Sequence, residues 1–582
     1  MAVADSELRP TPTRDPGLKR RFGDFETFWQ AVDYAAKGER GFNFYNGRTQ
    51  LTCALTFKEL REKALAMTEK LSGLGFEKGD RIAVIADTSP EFAIFFVACQ
   101  YNGVLPVPLP LPTSFGARDG FVAQLAAQIK SCAASGIMSP QFMTDLIGDA
   151  VSDQDLRFCG SFEQIMAHGV TKEFERPGPD DLSYLQYSSG STRFPHGVSV
   201  TQRSLMANTH GMGYHGVRLL EDDRCVSWLP FYHDMGLVGT FLTALACQMT
   251  VDFIPTEDFA RRPLSWLRVM TKNKCTISYS PTFGFDVCTR RLGQKADVLA
   301  ELDLSTWRVA GIGAEMIRPD VMRSFTEAFE PAGLNANIFL PSYGLAECTL
   351  GVSFGKAGAG IEVDFVDESL LTGGNHLLVS GKKEDARMRE VVNCGKPLPE
   401  YNIEIQDTNG IVLTEGYVGR IFLQGTSVMR EYFMDPEATA EVMKDGWLDT
   451  GDMGYMKKGC IYIVGRAKDM IIINGKNHWP QDLEWAAEQL DGVKAGDIAA
   501  ISVPGDNAEE VPLILAQCRL SDGGDRRQLS ENLKRQVQRE TGVNVLVNLV
   551  GPRALPRTSS GKLSRVKARQ NYLSGSLQAI AS

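Results

Sequence analysis

No CxxC pair occurs in this chain, although it holds twelve cysteines. Zinc ribbons and dithiol redox sites need closely spaced thiols, so neither is suggested, and cysteines spread through apolar surroundings do not suggest a disulfide framework. Cys99, Cys247 and Cys518 stand in apolar runs and read as buried, reduced thiols. Histidine is scarcer, at seven, with only His210 and His215 close together, which argues against a transition-metal cluster. Long apolar runs are missing as well. The strongest, Phe92 to Cys99, is far too short to cross a bilayer, and the residues before Gly23 have no apolar core of the kind a signal peptide carries. Positive charge is in deficit: 61 Lys and Arg against 71 Asp and Glu leave a net charge of −10. That balance is wrong for a nucleic-acid binder. A cytoplasmic protein with no transmembrane segment and no nucleic-acid partner is expected.

The common nucleotide motifs are wanting too. Each Gly-Lys pair, beginning at Gly355, Gly381, Gly395, Gly475 and Gly561, is followed by something other than Ser or Thr, so no Walker loop exists. Gly211 to Gly216 spells GxGxxG but trails a helical stretch rather than closing a strand, so it reads as a chance match. A dehydrogenase is excluded. There is no internal repeat and no long low-complexity tract.

What remains is a chain of 582 residues, 43% hydrophobic and 23% charged, long enough for two or three domains. Thr56 to Glu59 forms a capping box, and Phe57, Leu60, Ala64, Met67 and Leu71 follow at helical spacing until Gly73. Short β-rich runs at 81–86, 225–229, 275–280, 307–313 and 337–344 alternate with helix-length segments, a rhythm that predicts mostly parallel sheets flanked by helices. The prolines of 104–110 mark extended but interrupted chain. After about residue 350 the texture becomes Gly-rich and short-stranded, predicting a small β-rich subdomain. From Asp469 a separate α+β unit is expected.

Leu182 to Val200 carries the densest chemistry. An apolar run opens into Ser188, Ser189, Gly190, Ser191 and Thr192, a loop whose N–H and O–H donors can gather around an anion such as phosphate. Read alone, such a cluster is equally a polar connector.

Six further stretches accompany it: WLPFYHDMGL at 228, GIGAEMI at 311, PSYGLAECTL at 341, DGWLDTGDMGY at 445, GRAKDMIIINGKNHWPQDLE at 465 and LPRTSSGKLSR at 555. In order and content these seven resemble the adenylate-forming superfamily of acyl-CoA ligases, peptide-synthetase adenylation domains and luciferases. YHDMGL, the Tyr-Gly-Leu-Ala-Glu run and INGKNHWPQDLE make the chain most similar to the fatty acyl-AMP ligases. The resemblance implies an α/β fold: a large N-terminal adenylation domain over 1–466, with an insertion at about 350–392 and a small β-subdomain at about 393–466, and a mobile α+β lid domain over 467–582. It also implies activation of a medium- or long-chain fatty acid by ATP, with Mg2+, followed by transfer to the phosphopantetheine thiol of an acyl carrier protein. A long-chain acyl-CoA ligase is the alternative, and a nucleotide-binding regulator without turnover a more distant one.

Making an acyl adenylate brings a carboxylate against a phosphate, so cations and oriented donors are needed. The resemblance gives Lys562 to bridging those two anions, and Ser188 to Thr192 to wrapping the phosphates. It gives Thr192 and Glu347 to Mg2+, and His233 joins Lys562 and Glu347 around the reaction. Ser342, Tyr343 and Gly344 would meet one face of the adenine, Tyr343 by stacking, and Gly313, Ala314 and Glu315 the other. Asp452 would take the ribose hydroxyls and Arg466 the ribose or phosphate. Lys468 matches the hinge. His233, Asp234 and Met235 match the mouth of the acyl pocket, and Phe283 and Phe285 would line its walls. Taken singly, each of these is also an ordinary surface charge or core aromatic.

Two departures stand out. Arg193 occupies the place of a second glycine, and His196 that of a lysine in the related loops, which puts phosphate affinity in question. Glu347 lies 48 positions before Gly395, a long crossing that marks the acyl-AMP ligases among their relatives. Arg526, Arg527, Lys534, Arg535, Arg539, Arg565, Lys567 and Arg569 make the lid basic, which would suit an acidic carrier protein.

Overall fold

In the computed structural model, the described residues are 8–111, 118–151, 153–169, 172–188, 196–293, 296–371, 377–378, 380–382, 388–473, 476–505, 510–558 and 562–580. Ser189, Gly190, Ser191, Thr192 and Arg193 therefore lie outside them.

The alternating rhythm produces a nine-stranded sheet. Its six central strands, Gly41–Tyr45, Thr250–Phe253, Arg224–Ser227, Ile277–Ser280, Val309–Ile312 and Phe339–Gly344, run parallel in that spatial order. Antiparallel strands close both edges: Leu51–Thr56 on one side, Gly351–Phe354 and Lys396–Pro397 on the other. Parallel strands covered on both faces are mostly apolar, and where these runs bury polar groups, as at Asn43, Arg224 and Asp252, the groups are paired with one another. A second, four-stranded parallel sheet pairs Arg81–Ile85 with Leu105–Leu109 and Gly136–Ser139, and the last with Phe158–Ser161. The proline-bearing strand Leu105–Leu109 sits at its edge, where missing N–H donors cost least. Helix Phe57–Gly73 starts at the capping box: Glu59 N donates to Thr56 Oγ1 at 3.2 Å, and Thr56 N to Glu59 Oε2 at 2.9 Å. The apolar run Phe92 to Cys99 is wholly buried within helix Pro90–Asn102. Among the described residues no helix is long and apolar enough to cross a membrane.

The inserted stretch expected from about 350 begins inside the main sheet, since Gly351–Phe354 pairs with Phe339–Gly344. The segment that stands apart is the hairpin of Val363–Asp367 and Met388–Val392. Beyond it, Tyr401–Gln406, Gly419–Gly425, Trp447–Lys457 and Cys460–Arg466 form an antiparallel sheet. The smaller C-terminal domain packs helices Pro480–Glu488 and Gly523–Thr541 on the sheet of Ile498–Pro504, Glu510–Gln517 and Leu546–Val550. It has its own apolar core, with Ile514, Leu533 and Val537 fully buried.

Candidate active site

Several strands end together at one cleft. Parallel sheets open at the C-terminal ends of their strands, and that is where this cleft lies. Val309–Ile312 leads into Gly313 and Ala314, and Phe339–Gly344 ends on Tyr343 and Gly344, all four lining it. Ala314 holds φ at +70°, a left-handed conformation that side-chain-bearing residues rarely adopt and that recurs at functional sites. A Cβ on Gly344 would lie 2.0 Å from Leu350 O, so only glycine lets the chain turn back into Gly351–Phe354 there.

Tyr343, nearly buried, donates its Oη to Asp452 Oδ2 at 2.8 Å. Arg466 Nε donates to Asp452 Oδ1 at 3.2 Å. Strand pairing dictates this contact, because Asp452 and Arg466 sit opposite one another in the antiparallel sheet. Burial and the Asp452 carboxylate push the Tyr343 hydroxyl well above its usual range, so it remains a donor. Asp452 raises the Arg466 guanidinium above its ordinary value.

Glu347 follows in the short helical turn Ala346–Cys348. Its Oε1 accepts from Tyr432 Oη at 2.8 Å and its backbone O from Met429 N at 2.7 Å. His233 and Asp234 pair Nδ1 to Oδ1 at 2.6 Å, and the same Asp234 oxygen caps the following helix through Met235 N at 2.7 Å. Burial alone would raise the Asp234 carboxyl, yet His233 and Lys562 hold it below its usual range.

The C-terminal domain contributes Lys562 to the cleft wall. A backbone exchange fixes its base: Lys562 N donates to Thr558 Oγ1 at 3.2 Å, and Thr558 N to Lys562 O at 2.8 Å. Burial pushes its ammonium below the usual lysine range, against the pull of Asp234, Glu315 and Asp452. Ion pairs tie this domain to the body. Arg318 meets Glu488, Arg389 meets Asp482 at 3.3 Å, and Trp479 Nε1 donates to Leu371 O at 2.9 Å. Lys468, in the turn Ala467–Asp469 between the two bodies, is exposed.

Three of the predicted site residues stand outside the cleft lining. Phe285 is fully buried among Trp266, Trp307, Phe325 and Phe339, so it is core and no acyl wall. Phe283 packs edge-on against Trp228 at 5.7 Å, and neither phenylalanine lines the cleft. The Glu315 side chain is engaged elsewhere: its Oε1 accepts from Phe283 N at 2.9 Å, at the start of helix Thr282–Leu292. The lid's positive face is also smaller than expected. Arg565 is committed to Glu484 and Asp469, and Arg569 to Ser502 O.

The apolar arm of the cleft consists of residues the sequence did not single out: Met212, Val217, Gly239, Leu350 and Phe354, beside Met235. Met212 and Gly239 stand on π-helical segments, Gly211–Gly216 and Met235–Leu242, a geometry that often marks functional sites. The signal was a glycine density dismissed as a chance motif. Gly216 lets the Phe354 ring lie against the backbone, 2.9 Å from where a Cβ would stand.

A cleft that brings together a tyrosine and an arginine bonded to one carboxylate, a group of apolar residues and a lysine from the C-terminal domain fits an enzyme that activates carboxylates. Comparison agrees. The AMP-binding enzyme pattern matches residues 35–433. A Caulobacter vibrioides protein described as an acyl-CoA synthetase is 43% identical over 98% of this chain and 99% of its own length. The medium-chain-fatty-acid–[acyl-carrier-protein] ligase JamA of Moorena producens is 29% identical over 95% and 96%. A structure solved in a study of fatty acyl-adenylate ligases from E. coli and L. pneumophila superposes with a TM-score of 0.91, at 43% identity, covering 96% of this chain and 100% of that one. The chain belongs to the AMP-binding enzyme family, within the adenylate-forming superfamily.

Proposed function

We propose that the protein is a fatty acyl-AMP ligase: it joins a fatty acid to ATP as acyl-AMP, releases pyrophosphate, and passes the acyl group to the phosphopantetheine thiol of an acyl carrier protein. The observation that carries this reading is Lys562 seated in the same cleft as Tyr343 and Arg466, both bonded to Asp452, with apolar residues around Met235.

In the first step a carboxylate oxygen attacks the α-phosphorus, and the bond to the β-phosphate oxygen breaks. Lys562 bridges the two anions that must meet, and its desolvation strengthens that contact. Tyr343 offers its ring to the adenine, Asp452 accepts from the ribose hydroxyls, and Arg466 donates to ribose or phosphate through its unengaged nitrogens. Ser188 starts the phosphate loop. Glu347 would hold Mg2+ with Thr192; a carboxylate in the cleft is the hard oxygen ligand that ion takes, and bound Mg2+ would neutralise phosphate charge. Met212, Val217, Gly239, Leu350 and Phe354 receive the alkyl chain, and His233 with Asp234 stands at its mouth. In the second step the thiol attacks the acyl carbon and AMP leaves, after the C-terminal domain rotates about Lys468.

Product analysis tests this. Fatty acid, ATP and Mg2+ followed by hydroxylamine should give the fatty hydroxamate, and a holo carrier protein should become acylated while CoA does not. Efficient acyl-CoA formation would favour the activity described for the Caulobacter relative, and absence of hydroxamate would remove the reading altogether.

A further inference from the structure

The unusual histidine of the phosphate loop has a partner set of its own. His196 Nδ1 lies 2.9 Å from Asp435 Oδ2, and its ring packs on Tyr432 with centroids 4.8 Å apart. Asp435 is fixed independently, since its Oδ1 caps helix Pro436–Val442 through Ala438 N at 3.0 Å. Tyr432 is 7% exposed and reaches Glu347 Oε1 with its hydroxyl. One short segment thus touches both the foot of the phosphate loop and the acidic residue across the cleft. Backbone bonds hold that segment in place: Phe433 N to Gly197 O at 2.7 Å, Ser199 N to Glu431 O at 3.2 Å and Met429 N to Glu347 O at 2.7 Å.

We propose that Tyr432, held by the His196–Asp435 pair, is a positioning residue that fixes the Glu347 carboxylate for cation binding. The proposal rests on the role given to Glu347 above. A carboxylate on a free side chain samples several rotamers, and ordering it costs binding energy. With Oε1 engaged by Tyr432, the carboxylate is held in one orientation and Oε2 is left for a ligand. Histidine suits position 196 for this because it gives Asp435 a ring nitrogen and Tyr432 a flat face at once. A lysine there could pair with Asp435 but has no ring for Tyr432 to pack on. The departure at His196 is then a different use of the position: its side chain acts on the protein and not on the phosphate.

Tyr432→Phe removes the hydroxyl and keeps the ring and the backbone clip, so it isolates the bond to Glu347. With Mn2+ as the probe, in the presence of a non-hydrolysable ATP analogue, electron paramagnetic resonance should show binding about tenfold weaker in Tyr432→Phe, the scale of one hydrogen bond to a charged group. The Mg2+ concentration for half-maximal pyrophosphate exchange should rise by the same factor, with Tm and the fatty-acid KM unchanged. His196→Ala should act in the same direction but less, and the double variant should be no weaker than Tyr432→Phe alone, because both act along one path. Wild-type Mn2+ affinity in Tyr432→Phe, or effects that simply add, would overturn the proposal. Glu347→Gln separates the two readings. If it weakens Mn2+ binding while Tyr432→Phe does not, only the positioning role falls; if it leaves Mn2+ binding intact, the role of Glu347 falls and this proposal with it.

Discussion

Where the strands of the main sheet begin, Arg224 meets Asp252 through bonds of 2.8 and 2.7 Å; beside the cleft, Arg466 meets Asp452 through one of 3.2 Å. The first pair is almost wholly buried and its surroundings are complete. Arg224 also donates to Thr11 O and Thr13 Oγ1, and Asp252 accepts from Asn43 and Asn273. The second pair leaves the Arg466 side chain 43% exposed, with its Asp452 partner anchored by Tyr343. The same two residue types thus serve opposite ends. A pair whose hydrogen-bonding capacity is filled by protein can only hold the fold together, whereas one with donors left over in a cleft is available to a ligand.

Removing each arginine should separate the two cases most sharply. Arg224→Ala strands a buried carboxylate and should cost about 3–5 kcal/mol of stability, measured by chemical denaturation. Arg466→Ala should cost little stability but lower fatty-acid-dependent pyrophosphate exchange about a hundredfold, as loss of a charged donor in a desolvated site does. Comparable stability losses in the two variants would erase the distinction.

The apolar arm allows a finer break. A Cβ on Gly239 would stand 3.2 Å from Leu350 Cδ2, so Gly239→Val should narrow the arm. Since each methylene is worth about 0.8 kcal/mol when buried, excluding two should shift the preferred fatty acid to shorter chains by about tenfold in kcat/KM. An unchanged chain-length profile would place the alkyl chain elsewhere.

The smallest effect concerns a carboxylate of neither kind. Asp87 is half-buried, accepts from Ser89 Oγ at 2.8 Å, and is pushed by desolvation from 3.8 up to about 6. The folded protein therefore holds its proton more tightly than the unfolded chain. Its contribution to stability is full below about pH 4 and is lost as pH rises through about 6. Asp87→Asn stays neutral and should gain about 1–2 kcal/mol at pH 8 and nothing near pH 4. A gain independent of pH would contradict this.

Much of this was legible in the sequence, and the parts that were not have a common cause. The capping box at Thr56 and the runs at 81–86 and 337–344 are local, and strands and helix stand where they put them. Tyr343, Glu347, Asp452, Arg466 and Lys562 were marked by motifs, and the fold brings all but Asp452 to the cleft lining, with Asp452 bonded to two of them. What was not legible depended on side-chain direction, which spacing does not encode. Glu315 stands beside Gly313 and Ala314 yet turns to a helix start, and Phe285, two positions from Phe283, points into the core. Tyr432 and Asp435 carried no motif at all, and only the pairing of 431–433 with 197–199 brings them to His196.

The account turns on Lys562 completing the cleft from the second domain. Fatty-acid-dependent ATP–pyrophosphate exchange by wild-type protein and by Lys562→Ala tests that most directly. Exchange should require fatty acid and should fall about a thousandfold or more in the variant at unchanged Tm; exchange at the wild-type rate in Lys562→Ala would contradict it.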